Sequence, residues 1–365
     1  MPDPATFPLL RRRLLAWFDR NRRDLPWRRD RDPYRIWVSE VMLQQTTVAT
    51  VKSRFEQFIA MFPSLEELAA ADEQDVLRAW EGLGYYRRAR NLHAAARHLV
   101  AEHGGEFLDD PAVWAALPGV GRYITGAVLS QAFDRRVPIV EANSQRVLCR
   151  LFGEARDPAS GPVRKWLWDT AAALLPARRA GDFNQALMEL GALVCTPSQP
   201  RCGQCPIANH CVAFRDGSQD RIPLKTVAPA AVDVREVAVL VRRRGRVLLV
   251  RRPENGRWSN MWEFPHGELR RNESPEAGAE RALAELTGLT ADIGPELMTV
   301  RHVVMHFRIT MTCLEAQQRG GKFHSSFYVE ARWLSPARLA EFPVSSPQRK
   351  LTKELSRAVR QRRLF

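Results

Sequence analysis

From about residue 7 to residue 215, apolar positions recur every three or four residues, which is the period of a helix face. Leu92, Ala95, Ala96 and Leu99 form one such face. Turn-forming strings divide this stretch into separate helices: Phe62-Pro63-Ser64, Gly82-Leu83-Gly84, His103-Gly104-Gly105 and Gly119-Val120-Gly121. Ser64, with Glu67 three residues on, has the form of a capping box. The period is lost from Asp216 to Arg235, where Gly217, Pro223 and Pro229 interrupt the chain, so residues 217–234 are expected to be a linker. Beyond it, residues 236–241 and 246–250 read as strands joined by a turn over 242–245. Residues 275–287 read as a helix, and residues 299–312 and 325–333 as further strands. The pattern predicts a multidomain protein: an all-α domain over 1–216, an α+β domain of different fold over 235–348, and a basic tail over 349–365. The tail is expected to be a solvated helix face or a frayed end.

Composition narrows the partner. Lys and Arg number 55 against 41 Asp and Glu, a formal charge of +14, which favours a polyanion: nucleic acid or an anionic membrane surface. There is no apolar run of about 18 residues to span a bilayer. The N-terminal string has no apolar core followed by a small-residue cleavage site, so no secretory signal is expected. Four of the six cysteines fall within seventeen residues, the pattern of an inorganic centre in a reducing, cytoplasmic compartment rather than of a disulfide framework.

Those four, Cys195, Cys202, Cys205 and Cys211, are spaced C-x6-C-x2-C-x5-C. Four thiolates in one short loop suit either tetrahedral zinc or an iron–sulfur cube, and spacing alone leaves both open. Arg201 inside the loop suits a phosphate contact, whereas Cys149 and Cys313 lie outside it and are expected to be buried. Between two helical segments lies Leu117-Pro118-Gly119-Val120-Gly121-Arg122. Gly119 and Gly121 permit a tight hairpin and a close backbone approach to phosphate, and the next helix offers its N-terminal N–H groups. Glu40 sits among apolar neighbours, where a carboxyl group keeps its proton toward neutral pH and can act as an acid.

Three strings carry a resemblance. Trp37-Val38-Ser39-Glu40-Val41-Met42-Leu43-Gln44-Gln45-Thr46 looks like the catalytic helix of the MutY family of adenine glycosylases. The cysteine spacing matches the [4Fe–4S] loop of the endonuclease III and MutY superfamily, and the Gly119–Gly121 turn resembles the superfamily's helix–hairpin–helix. The resemblance spans about residues 7–348. It implies a [4Fe–4S] cluster, a flipped adenine protonated by Glu40, and Glu40 acting afterwards as the base for water. It places Trp27 and Arg28 at the adenine, Gln185 on the adenine edge, Gln45 and Thr46 as a wedge, and Tyr85 beside an opposing 8-oxoguanine. Tyr123 stands where lyase members carry a Schiff-base lysine, which implies a glycosylase that leaves the strand intact.

Two departures bear on chemistry. In Val140-Glu141-Ala142-Asn143-Ser144-Gln145-Arg146, Glu141 and Ala142 replace the family's Asp-Gly, while Asn143 is kept. The family carboxylate steadies the cationic sugar. A methylene moves it by about 1 Å, which can cost about a hundredfold in rate, so a compensating retreat of the backbone is expected. In the second domain, Gly267, Glu273 and Arg281 begin like a Nudix box, but Ala282 and Leu286 stand at its metal-binding acids, which implies binding without hydrolysis. His306, in Val304-Met305-His306, aligns with a Phe-Ser-His reading loop, with Met305 in place of the hydroxyl. The expected partner is double-stranded DNA with adenine opposite 8-oxoguanine or guanine, bound by a nucleoid-associated monomer. The competing readings are a bifunctional glycosylase/lyase, a Nudix hydrolase on a DNA anchor, and an iron–sulfur DNA-binding protein whose catalytic site has lapsed.

Overall fold

The structure, a computed structural model, describes residues 3–224 and 230–361. Part of the expected linker (225–229) and the last four tail residues (362–365) lie outside the described residues. The chain divides into two compact units, Met1–Ala69 with Ala94–Ala228, and Ala70–His93 with Pro229–Phe365. Its helices are α1 (Phe7–Asn21), α2 (Pro33–Leu43), α3 (Val48–Met61), α4 (Leu65–Ala70), α5 (Glu73–Ala79), α6 (Arg87–His103), α7 (Pro111–Ala116), α8 (Arg122–Phe133), α9 (Ala142–Phe152), α10 (Gly161–Leu174), α11 (Ala180–Leu193), α12 (Val212–Arg215), α13 (Pro275–Thr287) and α14 (Ser346–Gln361). Among the described residues no helix is long and apolar enough to cross a membrane.

The first unit is helical throughout. One core gathers Leu10, Leu14 and Phe18 of α1, Val147 and Leu151 of α9, Leu167 and Leu174 of α10, and Phe183, Leu187 and Leu190 of α11. Cys195, Cys205 and Cys211 pack against its edge. Helix starts are set by local chemistry. Asp32 caps α2 by accepting from the Tyr34 N–H at 2.8 Å, and Pro33, which lacks an N–H, occupies the first turn. Ser64 accepts from the Glu67 N–H at 3.2 Å, so the expected cap forms on that side.

The second unit is built on a seven-stranded sheet: β1 (Val232–Arg243), β2 (Arg246–Arg251), β3 (Trp262–Glu263), β4 (His266–Glu268), β5 (Leu289–Val304), β6 (Phe307–Gly321) and β7 (Glu330–Leu334). The order is β3-β2-β1-β6-β5, with β4 paired to β1 and β7 to β2. β1 and β6 run parallel from Val232 opposite Phe307 to Arg242 opposite Gln317, and the other pairings are antiparallel. Alternation along β1 sends Val237, Val239 and Val241 to one face, where Ala279 and Leu283 of α13 cover them. Ala238 and Leu240 go to the other face, with Leu351 and Leu355 of α14.

Three outcomes differ from expectation or sharpen it. The strand expected over 299–312 is two strands that reverse at Met305 and His306, where Met305 takes a left-handed φ of 55°. No Gly, Asn or Pro marks this turn, so strand alternation runs through it unbroken. The basic tail from Arg349 is helix α14, and its Leu351 and Leu355 are fully buried; the lysines and arginines had masked an apolar stripe at i and i+4. Finally, α5 and the loop after it belong to the second unit. Gln74 accepts from Trp262 Nε1 at 2.9 Å, and Arg349 grips Glu81 at 2.6 and 2.7 Å.

Truncating Leu355 to Ala removes a fully buried side chain and is expected to destabilise the second unit by about 2–5 kcal/mol. Chemical denaturation measures this, and a change below about 0.5 kcal/mol, the usual size at exposed sites, would show that α14 is not part of the core.

Candidate active site

Glu40 lies in the last turn and a half of α2, a helix that also buries Ile36, Trp37, Val38, Val41 and Met42. Glu40 is itself buried, and two polar side chains meet its carboxyl oxygens. Both come from α8. The Tyr123 hydroxyl donates to Oε2 and Gln131 Nε2 donates to Oε1 at 2.8 Å. Burial pushes the Glu40 carboxyl above its usual range, while these hydrogen bonds and the charge of Arg28 pull the other way, and burial wins. Tyr123 is itself held far from ionising by burial and by the Glu40 charge, so it stays a neutral hydroxyl.

Glu141 occupies the N-cap of α9. Its two oxygens accept from the backbone N–H groups of Asn143 and Ser144, both at 2.8 Å, and from Asn143 Nδ2 at 3.1 Å. Ser144 Oγ in return accepts from the Glu141 N–H at 2.9 Å, closing a capping box. The Glu141 side chain thus turns back onto its own helix. Burial raises its pKa, the two backbone N–H groups and Arg146 lower it, and the nearby Glu40 charge adds to the rise.

A cavity of about 400 Å³ is lined among others by Trp27, Arg28, Gln131 and Gln185, and Gln131 links its wall to Glu40. Trp27 is buried edge-on against Phe55. Beneath the cavity, the fully buried Glu189 holds Arg23 through Nε at 2.8 Å and Nη2 at 2.7 Å, and Arg28 Nη2 at 3.1 Å. Burial alone would raise the Glu189 pKa, but the bonds from Arg23 and the charge of Arg28 outweigh it and hold it at about 2. Arg28 is therefore aimed by a fixed charge. Its Nη1 and Gln185 Oε1 are both buried without a hydrogen-bond partner.

The cysteine loop joins the same framework through α9. Arg146 donates to the Cys195 carbonyl at 2.7 Å and to Asn143 Oδ1 at 2.8 Å. Arg150 Nη1 lies 3.4 Å from Cys195 Sγ and bonds the Thr196 carbonyl at 2.7 Å. Cys195, Cys202 and Cys211 all bear electrostatically on Cys205, whose thiol burial pushes up to about 12. Four cysteines in one short loop beside two guanidinium groups have the donor chemistry of an anionic thiolate-bound cluster.

The remaining candidates are surface elements. Gln45 is exposed at a left-handed φ of 55° just beyond α2, and Thr46 follows it, half-buried. Gly119 (φ 72°) and Gly121 form the exposed turn between α7 and α8, and a Cβ at Gly121 would meet open space, so an approaching backbone or phosphate is not obstructed. In the second unit, Tyr85 is 52% exposed at a left-handed φ of 46°, with the Arg88 guanidinium 5.6 Å from its ring centre. Met305 projects from the β5–β6 turn at 74% exposed, and the His306 ring lies 4.0 Å from that of Phe307, tilted by 36°. The reduced Nudix box is tied up by arginine: Arg281 grips Glu273 at two points, each 2.7 Å, and Glu285 at 3.1 Å. Sequence reasoning missed Gln131, Glu189 and Arg23. The available signal was a polar residue inside an otherwise apolar helix, as at Gln131 after Ala127-Val128-Leu129.

Comparison with known proteins follows this geometry. The model of the HhH-GPD superfamily of base excision DNA repair proteins matches residues 38–172, that of the iron-sulfur binding domain of endonuclease III matches 195–211, and that of the NUDIX domain matches 236–354. A Rattus norvegicus adenine DNA glycosylase is 35% identical over 408 residues, covering 96% of this chain and 78% of the relative. The Homo sapiens adenine DNA glycosylase is 34% identical over 405 residues, covering 96% and 74%. This chain belongs to the adenine DNA glycosylase family. It is a base excision repair enzyme, a hydrolase of N-glycosyl bonds that binds DNA and carries a [4Fe–4S] cluster in the loop from Cys195 to Cys211. Among solved structures, a thermostable thymine-DNA glycosylase is similar at 30% identity and a TM-score of 0.53, covering 58% of this chain and 98% of its own. Endonuclease III in a non-covalent DNA complex, at 21% identity and a TM-score of 0.51, covers 60% and 99% and shares the fold.

Because the Glu189 pKa is depressed when folded, its contribution to stability is full above the ordinary value of 4.5 and is lost as pH falls toward about 2. Glu189→Gln should therefore flatten the acid side of the stability–pH curve and cost about 3–5 kcal/mol near neutral pH, since two guanidinium groups lose their buried partner. Unfolding midpoints measured across pH check this, and parallel curves for the two proteins would refute it.

Proposed function

We propose that this glycosylase removes adenine opposite 8-oxoguanine or guanine, as a monofunctional enzyme acting alone on duplex DNA. The observation that carries the reading is the pair of unpartnered buried atoms in the cavity wall, the Arg28 Nη1 donor and the Gln185 Oε1 acceptor. The adenine edge offers a ring-nitrogen acceptor beside an N6 donor, the complement of that pair. Trp27 supplies an apolar surface for the flipped base. Gln45 and Thr46 fill the space it leaves, and the hairpin at Gly119 and Gly121 holds a phosphate.

Excision proceeds by proton transfer and hydrolysis. Glu40 gives its proton to a ring nitrogen of adenine, directly or through the Tyr123 hydroxyl. The N-glycosidic bond then breaks with its electron pair leaving on the base. Glu141, steadied by Asn143, faces the cationic sugar. Glu40, now a carboxylate, takes a proton from water as the water oxygen bonds to the sugar carbon, leaving free adenine and an abasic site. Tyr123 has no amine to form an imine, so the strand stays whole. The division of labour is by domain. The helical part (1–216), with Cys195, Cys202, Cys205 and Cys211 holding the cluster that shapes a DNA-contacting loop, performs excision; the Nudix-like part (235–348), through His306, reads the opposing purine together with Tyr85.

Single-turnover assays on duplexes with adenine opposite 8-oxoguanine and opposite guanine test this reading. Strand breaks should appear only after alkali and disappear in Glu40→Gln; breaks without alkali would point to a lyase, and an undiminished rate in Glu40→Gln would end the assignment of the acid. Met305 presents a thioether where a hydroxyl would accept or donate a hydrogen bond. Met305→Ser is accordingly expected to widen the preference for 8-oxoguanine over guanine by about tenfold, the worth of one hydrogen bond. An unchanged ratio of the two rates would remove Met305 from the reading surface.

A further inference from the structure

Gln131 has no part in the scheme above, yet it touches both halves of the site. Its side chain lines the cavity and also bonds Glu40 Oε1, in a residue only 6% exposed. It shares α8 with Tyr123, about two turns away, so one helix delivers a donor to each oxygen of the same carboxyl group.

The two donors are not equivalent. A tyrosine hydroxyl both donates and accepts, whereas an amide N–H only donates. An oxygen that faces an N–H cannot carry a proton directed at it without losing that bond. We infer that Gln131 is a positioning residue for proton delivery: by donating to Oε1 of Glu40 it confines the proton to Oε2, the oxygen in contact with the Tyr123 hydroxyl. The proton then leaves along a single path, from Glu40 Oε2 or through the Tyr123 hydroxyl, which gives up its own proton as it receives one. Without the amide, either oxygen would hold the proton and a fraction of bound complexes would present it facing away from Tyr123. The inference rests on the reading of Glu40 as the acid.

The charged and titratable groups facing Glu40 are few: Arg28 from the turn before α2, Tyr123 from α8, and Glu141 at the start of α9. α3, which also packs on α2, buries Val51, Phe55 and Phe58. Gln131 carries no charge, so its bond persists whichever protonation state Glu40 adopts, and it favours the carboxylate. Loss of the bond therefore raises the Glu40 pKa. The protonated form is the active one, and the rate falls as pH rises through that pKa, so the alkaline limb must move to higher pH.

The test compares single-turnover adenine release against pH for the holoenzyme, Gln131→Met and Gln131→Glu, on the adenine–8-oxoguanine duplex. Met keeps the length of the side chain and removes the donor. The expected result is an alkaline limb displaced upward by about one pH unit and a plateau rate lower by about tenfold, with DNA affinity and cluster absorbance retained. Gln131→Glu puts a second carboxyl group against the first, so the pair shares a proton, and it should displace the limb upward as well. Should Gln131→Met lose its cluster or its fold, the limb of Gln131→Glu decides. A slower enzyme with an unmoved limb in the folded variant would show that Gln131 merely fills space, and would overturn the inference. The reading beneath it fails differently: full activity in Glu40→Gln removes the acid itself, whereas an inactive Glu40→Gln beside an unmoved Gln131 variant removes only the role of Gln131.

Discussion

A buried carboxyl group is the constraint on which the first unit turns. Desolvating an ionised carboxylate costs several kcal/mol, so Glu40 can stay inside α2 only where neighbours meet its oxygens and where its proton is retained. Two neutral donors from α8 meet those oxygens without forcing the group to ionise. The contrast with Glu189 is instructive. That side chain is just as buried, but Arg23 and Arg28 surround it and keep it charged. Two carboxyl groups in one helical unit thus shift in opposite directions: burial prevails at Glu40, where the bonded donors are neutral, and guanidinium partners prevail at Glu189.

Helix α9 joins the reaction chemistry to the inorganic centre. Its N-cap is Glu141, its first turn holds Asn143, and its next turns present Arg146 and Arg150 to the backbone and sulfur of the cysteine loop. The cap that begins the helix is made by the same carboxylate that faces Glu40. A substitution that loosened the cap would therefore disturb helix and site together, since an N-cap contributes about 1 kcal/mol.

Much of this arrangement could be read in the sequence because it depends on local strings. Helix α2, the hairpin glycines, the cysteine spacing and the helix at Pro275–Thr287 each lie within seventeen residues or fewer. What could not be read lies where distant segments meet. Glu189 looks like one more acid on an amphipathic helix until α11 sets it against Arg23 and Arg28, more than 160 positions away in sequence. Gln131 is inconspicuous until α8 is laid on α2. The reversal at Met305 was hidden for a different reason: its left-handed residue is not one of the usual turn formers, so the strand pattern runs across it. The apolar stripe of α14 was obscured by the charges that share the helix.

The segment Ala70–His93 shows that order along the chain does not define the bodies of this protein. Its α5 and the loop bearing Tyr85 are fastened to Asn260, Trp262 and Arg349, which follow it by more than 180 residues. A genetic cut between Ala228 and Pro229 would not part the two units cleanly. The N-terminal fragment would keep a loop stripped of its supports, and the C-terminal fragment would expose the faces that had held it. An exchange of such pieces between relatives preserves these bonds only where it carries both partners of each.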